Sequence, residues 1–402
     1  MSDPRTRRRV GLGRLRSPQF LTLLVGVALL PACGSDSVVP EDPGRAGDGT
    51  LAEALEFVRD AQGLPALAGV MVHQGRVVEM AAVGSRAAGG PEPVTVDDLW
   101  HIGSITKAMT ATVVARLAER GALSWNTTVS QALPDLVGRI RSEYLGVTFT
   151  ELLSHTSGLR DEVHEVSIWP TLAVDVGPAT VEERHEWAAQ LLSLSPERSR
   201  GEHLYSNAGY IVAGAMLEAM SGQTWETLME QELFQPLGIT TGGFGAPGTS
   251  GVRDQPWGHL RSGGSWTPLS PGPGADNPAA IGPAGTVHIS MADLALYMAA
   301  HLAGARGQGG LLEPASFQHL HTAAPGTAYA QGWALEEQSW TGGVALNHNG
   351  SNERWFARLW LAPGRDFGLF TVTNAAGDQG EDGTDAAAIV LIERFEAAFG
   401  SR

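Results

Sequence analysis

The spacing of apolar residues changes several times along the chain, and each change marks a predicted element. Leu51, Leu55 and Val58 recur at helical spacing over residues 51–61, up to a break at Gly63-Leu64-Pro65. Two strand-like runs follow, residues 67–72 and 76–83, and their junction at His73-Gln74-Gly75 predicts a hairpin. Residues 104–119 are helical in pattern, end at Gly121, and are apolar on nearly every side until Arg116, as in a helix buried all round. Residues 125–240 give mostly helical patches with loops, including 210–220 closed by Ser221-Gly222. Glycine and proline dominate 241–286, which predicts ordered loops with one hairpin across Gly263-Gly264. Ser290 and Asp293 resemble a capping box that starts a helix ending near Leu302. Strand-like runs at 331–335, 343–346, 355–361 and 367–373 precede an amphipathic helix at 385–399. Strands at both ends with helices between predict a mixed α/β protein, its two ends forming one sheet around a helical insertion.

The N-terminus departs from this pattern. Residues 1–32 hold six arginines, one acid and an apolar run from Phe20 to Leu30 that leads to Leu30-Pro31-Ala32-Cys33. Spanning a bilayer takes about 20 apolar residues, so an eleven-residue run behind a basic segment is the export-signal pattern. Cys33, the one cysteine of the chain, stands at the cleavage point, as in a bacterial lipobox where the thiol is lipidated. A lipoprotein signal is therefore expected over 1–32, with lipidation at Cys33 and a flexible tether over 33–49 (GSDSVVPEDPGRAGDG after the cysteine). The expected location is the bacterial cell envelope, facing the periplasm or the exterior, with the membrane reached by the lipid alone. Without residues 1–32 the chain keeps 21 basic and 42 acidic residues, a balance that repels nucleic acid. A single cysteine excludes an intrachain disulfide and a CxxC metal site. No H-E-x-x-H or G-x-S-x-G is present, so neither a zincin site nor an α/β-hydrolase nucleophile elbow is expected. His155, in the run His155-Thr156-Ser157-Gly158, is expected to order a turn.

Of 27 basic residues, 26 are arginine and one is Lys107. Where only positive charge is needed this chain uses arginine, so a lone lysine points to a position that must release a proton. Lys107 follows Ser104 by three residues, which on a helix puts hydroxyl and amine on one face. Burial disfavours the ammonium and makes the amine a base, while the helix N-terminus favours negative charge developing at Ser104.

With Ser104-Ile105-Thr106-Lys107, then Tyr205-Ser206-Asn207 and His348-Asn349-Gly350 in order, the chain resembles the serine β-lactamase and penicillin-binding-protein superfamily, closest to the class C β-lactamase-like serine hydrolases. The likeness extends through residues 152–159 (LLSHTSGL) and Gly282-Pro283-Ala284-Gly285. It implies a β-lactamase/transpeptidase-like fold over 50–400, an antiparallel sheet flanked by helices (about 50–105 and 285–400) with an inserted all-α domain (about 106–284). It also implies Ser104 as acylated nucleophile, Lys107 and Tyr205 as its proton-handling partners, and Asn207, His348, Asn349, Gly350 and Ser351 around the substrate. The N–H groups of Ser104 and Ser351 would form the oxyanion hole, with glycine at 350 keeping the substrate's path open on an edge strand. The expected activity is hydrolysis of an amide or ester, with a D-amino-acid peptide, a β-lactam or a small ester as substrate. The alternatives are a true class C-like β-lactamase and a slow-turnover penicillin- or peptidoglycan-binding sensor. No cofactor is implied, and a monomer is expected. His348 stands where K-T-G has lysine and is mostly neutral at pH 7, which counts against efficient β-lactam hydrolysis and makes Arg354 the candidate substitute charge. Trp257, Trp266 and Trp355 are candidates to line the cleft.

Overall fold

The apolar runs at the two ends of the chain meet in one sheet. The computed structural model describes residues 50–160, 181–272 and 274–400; the expected export signal, Cys33 and the tether lie outside the described residues. In chain order the main elements are α1 (Thr50–Gln62), β1 (Ala66–His73), β2 (Arg76–Gly84), β3 (Leu99–His101), α2 (Thr106–Glu119), α3 (Val181–Ser193), α4 (Asn207–Ser221), β4 (Gly243–Phe244), β5 (Gly258–Ser262), β6 (Ser265–Leu269), β7 (Val287–Ser290), α5 (Met291–Ala305), β8 (Ala334–Glu337), β9 (Val344–Ser351), β10 (Phe356–Ala362), β11 (Phe367–Thr373) and α6 (Gly377–Phe399). Six strands form an antiparallel sheet in the order β2-β1-β11-β10-β9-β8, so the first and last strands of the chain pair at its centre.

Both faces of this sheet are covered. Along β1, Ala66, Ala68, Val70 and Val72 enter the larger core with α2, α4 and α5, while Leu67 and Met71 enter a smaller core with Leu51 and Leu55 of α1 and Leu391 and Phe395 of α6. The alternation follows from the two-residue period of a strand. Its burial on both sides explains why the runs look continuously apolar in the sequence. Each Leu, Met or Phe side chain buried this way contributes roughly 1.5–3 kcal/mol. The β1–β2 turn places Gln74 (φ 51) and Gly75 (φ 73) in the left-handed region, as a two-residue hairpin requires.

The predicted elements differ from the structure at identifiable points. Helix α6 begins at Gly377, well before 385, because its first turns carry glycines that break the apolar period. A Cβ at Gly383 would stand 2.4 Å from Leu64 Cδ1, so close packing asks for glycine there. Ser290 caps α5, accepting from the Asp293 N–H at 3.2 Å, but the box is only half made. The Asp293 carboxylate instead accepts from the N–H groups of Thr240 and Thr241, each at 2.7 Å. A second small sheet, β3-β7-β4, escaped prediction because strands of two to four residues show no alternation. The stretch between the sheet halves also carries the β5–β6 hairpin, bridged to the main sheet at His259 and Ala375.

Candidate active site

Ser104 lies in the 3₁₀ turn Gly103–Ile105 that runs into α2. Where the turn passes into the helix, residues i and i+3 share a face, which brings the Ser104 hydroxyl to the Lys107 side chain. Lys107 is fully buried, and its Nζ lies 3.0 Å from Ser104 Oγ, 2.7 Å from Asn207 Oδ1 and 2.7 Å from the Ala284 carbonyl oxygen. The last two oxygens can only accept. A neutral amine satisfies them with its two N–H bonds and turns its lone pair to the Ser104 hydroxyl; an ammonium donates to all three. One geometry thus serves both protonation states, as proton transfer from a nucleophile requires.

The partners of Lys107 come from separate elements. Asn207 opens α4, whose cap is Ser206; the Ser206 Oγ accepts from the Gly209 N–H at 3.3 Å. Ala284 sits in the short helix Gly282–Gly285, which is wedged between α2 and α4. Buried Arg184 fixes that wedge from α3, bonding the Ala279 and Ala280 carbonyls and pairing with Glu218 and Glu226. Burial pushes the Glu218 carboxyl up to about 7 against the pull of Arg184, with the neighbouring Glu226 charge adding a little to the rise.

Tyr205 presents its ring to the Lys107 amine, with the centroid 4.9 Å from Nζ. His155 holds it there. The His155 carbonyl accepts from the Leu204 N–H at 2.8 Å, its Nδ1 accepts from the Ser206 N–H at 3.1 Å, and its ring packs 4.4 Å from the Tyr205 ring. A histidine at φ 60 is an uncommon turn residue, and here it carries the seat of a site residue. Burial first, then the charge of Lys107, hold its imidazole well below its ordinary range and neutral.

The third motif meets the turn of Ser104 through bare backbone. A Cβ at Gly350 would stand 1.9 Å from the Ile102 carbonyl oxygen, and one at Gly103 (φ 50) would stand 2.3 Å from Ser351 N. Glycine at 350 is therefore required by the crossing of two chain segments, which corrects the expectation that it clears a path for substrate. Strand β9 is also not a true edge: β8 pairs with it over Val344–Asn347, and only its last four residues are open on that side.

A pocket of about 360 Å³ opens over this crossing, lined among others by Ser104, Asn207, Asp276, Ser351, Asn352 and Arg354. Of the expected substrate-binding set, Asn207 and Ser351 line it and Gly350 underlies it, whereas His348 and Asn349 do not reach it. The His348 ring is buried, its Nε2 2.9 Å from Tyr329 Oη, and burial followed by the Lys107 charge brings its pKa down to about 3. It is neutral and brings no charge to a substrate. None of the three candidate tryptophans lines the pocket: Trp355 is buried and stacked on His101, Trp266 donates to the Gly63 carbonyl, and Trp257 donates to the Val252 carbonyl. Sequence reasoning missed Asp276 and His101. Asp276 Oδ2 lies 2.8 Å from His101 Nε2, its Oδ1 accepts from Asn352 Nδ2 at 2.7 Å, and the Gly103 N–H donates to His101 Nδ1 at 3.2 Å. This chain of bonds ties the 274–278 loop to the turn that carries Ser104, and no local pattern announces it.

The sequence matches the family model described as Beta-lactamase over residues 50–394. It is 27% identical over 334 residues to Penicillin-binding protein 4 of Amycolatopsis lactamdurans, covering 80% of this chain and 84% of that protein. It is 29% identical over 184 residues to Esterase EstB of Burkholderia gladioli, covering 44% of this chain and 46% of that protein. In fold it is similar to a class C beta lactamase from Rhodobacter sphaeroides, with a TM-score of 0.65 at 21% identity over 86% of this chain and 100% of that one.

Proposed function

The chain belongs to the beta-lactamase family and is a serine hydrolase of that fold, and from this premise we propose that Ser104 is acylated by an ester or amide substrate and then released by water. The observation that carries the reading is the buried Lys107 amine 3.0 Å from Ser104 Oγ. Lys107, with Tyr205 beside it, takes the hydroxyl proton as Oγ attacks the carbonyl carbon. The N–H groups of Ser104 and Ser351 receive the negative charge on the carbonyl oxygen. Collapse breaks the bond to the amine or alkoxide, which leaves with the proton. Water then attacks the acyl ester, with Lys107 and Tyr205 accepting its proton and returning it to Ser104. Asn207 holds the amine in register. All of these groups come from one chain, in keeping with a monomer.

The neutral, inward-facing His348 favours D-amino-acid peptides and small esters over efficient β-lactam turnover. The names of the relatives, a penicillin-binding protein and an esterase, fit that range. Export and a lipid on Cys33 complete the proposal, resting on the basic and apolar segment before it. Intact-mass spectrometry after incubation with a panel of esters, D-amino-acid peptides and β-lactams tests the acyl-enzyme. The expected result is a mass increase located at Ser104 and absent from Ser104→Ala. A labelled residue elsewhere overturns the assignment, and a stable adduct without turnover marks the slow-turnover sensor instead.

A further inference from the structure

One of the oxygens around Lys107 Nζ is a backbone carbonyl, that of Ala284, and its place depends on how the turn over residues 279–285 is held. That turn is gripped from two sides. From α3, Arg184 donates through Nε to the Ala280 carbonyl at 3.3 Å and through Nη2 to the Ala279 carbonyl at 3.2 Å. From α2, the Thr110 hydroxyl donates to the Pro283 carbonyl at 2.8 Å, one residue before Ala284. The two grips are joined. Glu218 Oε1 accepts from Arg184 and from the Trp225 N–H, and the Trp225 indole N–H donates to Thr110 Oγ1 at 3.1 Å. Space is tight as well: a Cβ at Gly282 would stand 2.9 Å from the Trp225 ring, and one at Gly214 would stand 2.4 Å from Pro283 Cγ.

A fully buried guanidinium set among two carboxylates is a poor source of stability, since apolar side chains of equal volume would often serve as well. Its fixed fork of N–H groups supplies direction instead. The direction matters at Lys107. In the neutral amine the Asn207 and Ala284 oxygens take the two N–H bonds and leave the lone pair to Ser104 Oγ. Without the Ala284 oxygen the amine turns about its Cε–Nζ bond and an N–H can face the hydroxyl, an orientation in which it cannot take the proton.

We propose that Arg184 and Thr110 are positioning residues of the reaction, clamping the 279–285 turn so that the Ala284 carbonyl aims the Lys107 lone pair at Ser104, a role that rests on the reading of Ser104 as the acylated residue. Arg184→Met removes one grip and Thr110→Val the other, and Thr110→Val changes shape so little that it carries the test where Arg184→Met does not fold. With p-nitrophenyl acetate as the probe, time-resolved intact-mass spectra of the folded protein read the rate of acylation at Ser104. The expected fall is ~10–100-fold for Arg184→Met and ~10-fold for Thr110→Val, with KM little altered and the rate recovered at least in part by Thr110→Ser. Wild-type rates in the folded variants overturn the proposal. A second arm needs no turnover. Lys107 is the one lysine of the chain, so isotope-labelled lysine gives a single side-chain NMR signal. That signal is expected to move in the variants; a signal left at its wild-type position overturns the clamp, because lost stability alone would not shift it. Absence of label from Ser104 in the wild type, with the lysine signal displaced in the variants, would instead sink the nucleophile reading and leave the clamp on the amine standing.

Discussion

The two walls of the pocket are made by different means. On the side of α2 and α4, Ser104, Lys107 and Asn207 stand on helices or their first turns, and Lys107 is enclosed by oxygens at 2.7–3.0 Å. On the other side, the 274–278 loop and the turn after β9 carry Asp276, Asn352, Glu353 and Arg354, held to one another by hydrogen bonds between loops. In the proposed mechanism the first wall fixes atoms that exchange a proton, where a displacement of 1 Å is costly. The second presents charge to a ligand and can vary without disturbing the chemistry. On the proposed reading, helices set the reaction type and loops the substrate choice.

The sharpest way to break this comparison is to change the helical wall at its least replaceable atom. Lys107→Arg keeps positive charge but cannot release a proton near neutral pH, and it forces a larger group among oxygens that fit an amine. Turnover is expected to fall ~10³-fold or more, with the acyl-enzyme unformed in intact-mass spectra. Retention of wild-type turnover would remove the base from the mechanism.

A second effect strikes the scaffold behind both walls. Burial lowers the pKa of His348 and His321 to about 3 and of His259 and His288 to about 4, against an ordinary value of 6.5. The unfolded chain therefore binds more protons than the folded one below pH 6.5. Stability is full above that pH and is lost as the pH falls towards 4 and then 3, at a slope of about 1.4 kcal/mol per pH unit for each histidine. Denaturant unfolding between pH 7 and pH 4 checks this; a flat profile would show that the rings protonate in place.

The same division governs what could be read from the sequence. The helical wall was legible in part because its atoms sit within one turn of each other, as a lone lysine three residues after a serine, and in part because the Tyr205-Ser206-Asn207 motif marked Asn207. The sheet was legible because runs buried on both faces stand out as apolar, as β11 does over Phe367–Thr373. The loop wall was not. Asp276 meets His101 and Asn352 across long stretches of chain, and neither composition nor period marks such a meeting. His348 and Gly350 were located by their motif, but the motif could not show that the imidazole turns inward or that Gly350 yields to the Ile102 carbonyl. His155 showed as a turn former, whereas its use as the seat of Tyr205 depends on a ring contact 4.4 Å long.

That seat offers a change of middle size. Asn tolerates the left-handed backbone of residue 155, so His155→Asn keeps the turn while removing the ring against Tyr205. A drop of ~10–100-fold in kcat is expected with KM little altered, because the loss falls on proton transfer. A purely structural role for His155 would instead lower the melting temperature and leave kcat per folded molecule intact.

The smallest expected effect tests the loop wall at its hidden joint. The Gly103 N–H donates to His101 Nδ1, so the proton of the neutral ring lies on Nε2 and points at Asp276 Oδ2, while Asn352 Nδ2 points at Oδ1. Asp276 thus faces donors on both sides, and an amide can answer only one of them. Asp276→Asn sets two donors against each other at a buried joint, a cost of about 1–3 kcal/mol that the loop can escape by moving outward. The displacement loosens Gly274 and with it the tether on Arg354 Nε. Weaker substrate binding is therefore expected, read as a rise of ~3–10-fold in KM, with kcat nearly constant because Ser104, Lys107 and Asn207 keep their own partners. A fall in kcat at constant KM would show that the two walls are not separable and that the joint between them sets the nucleophile's position.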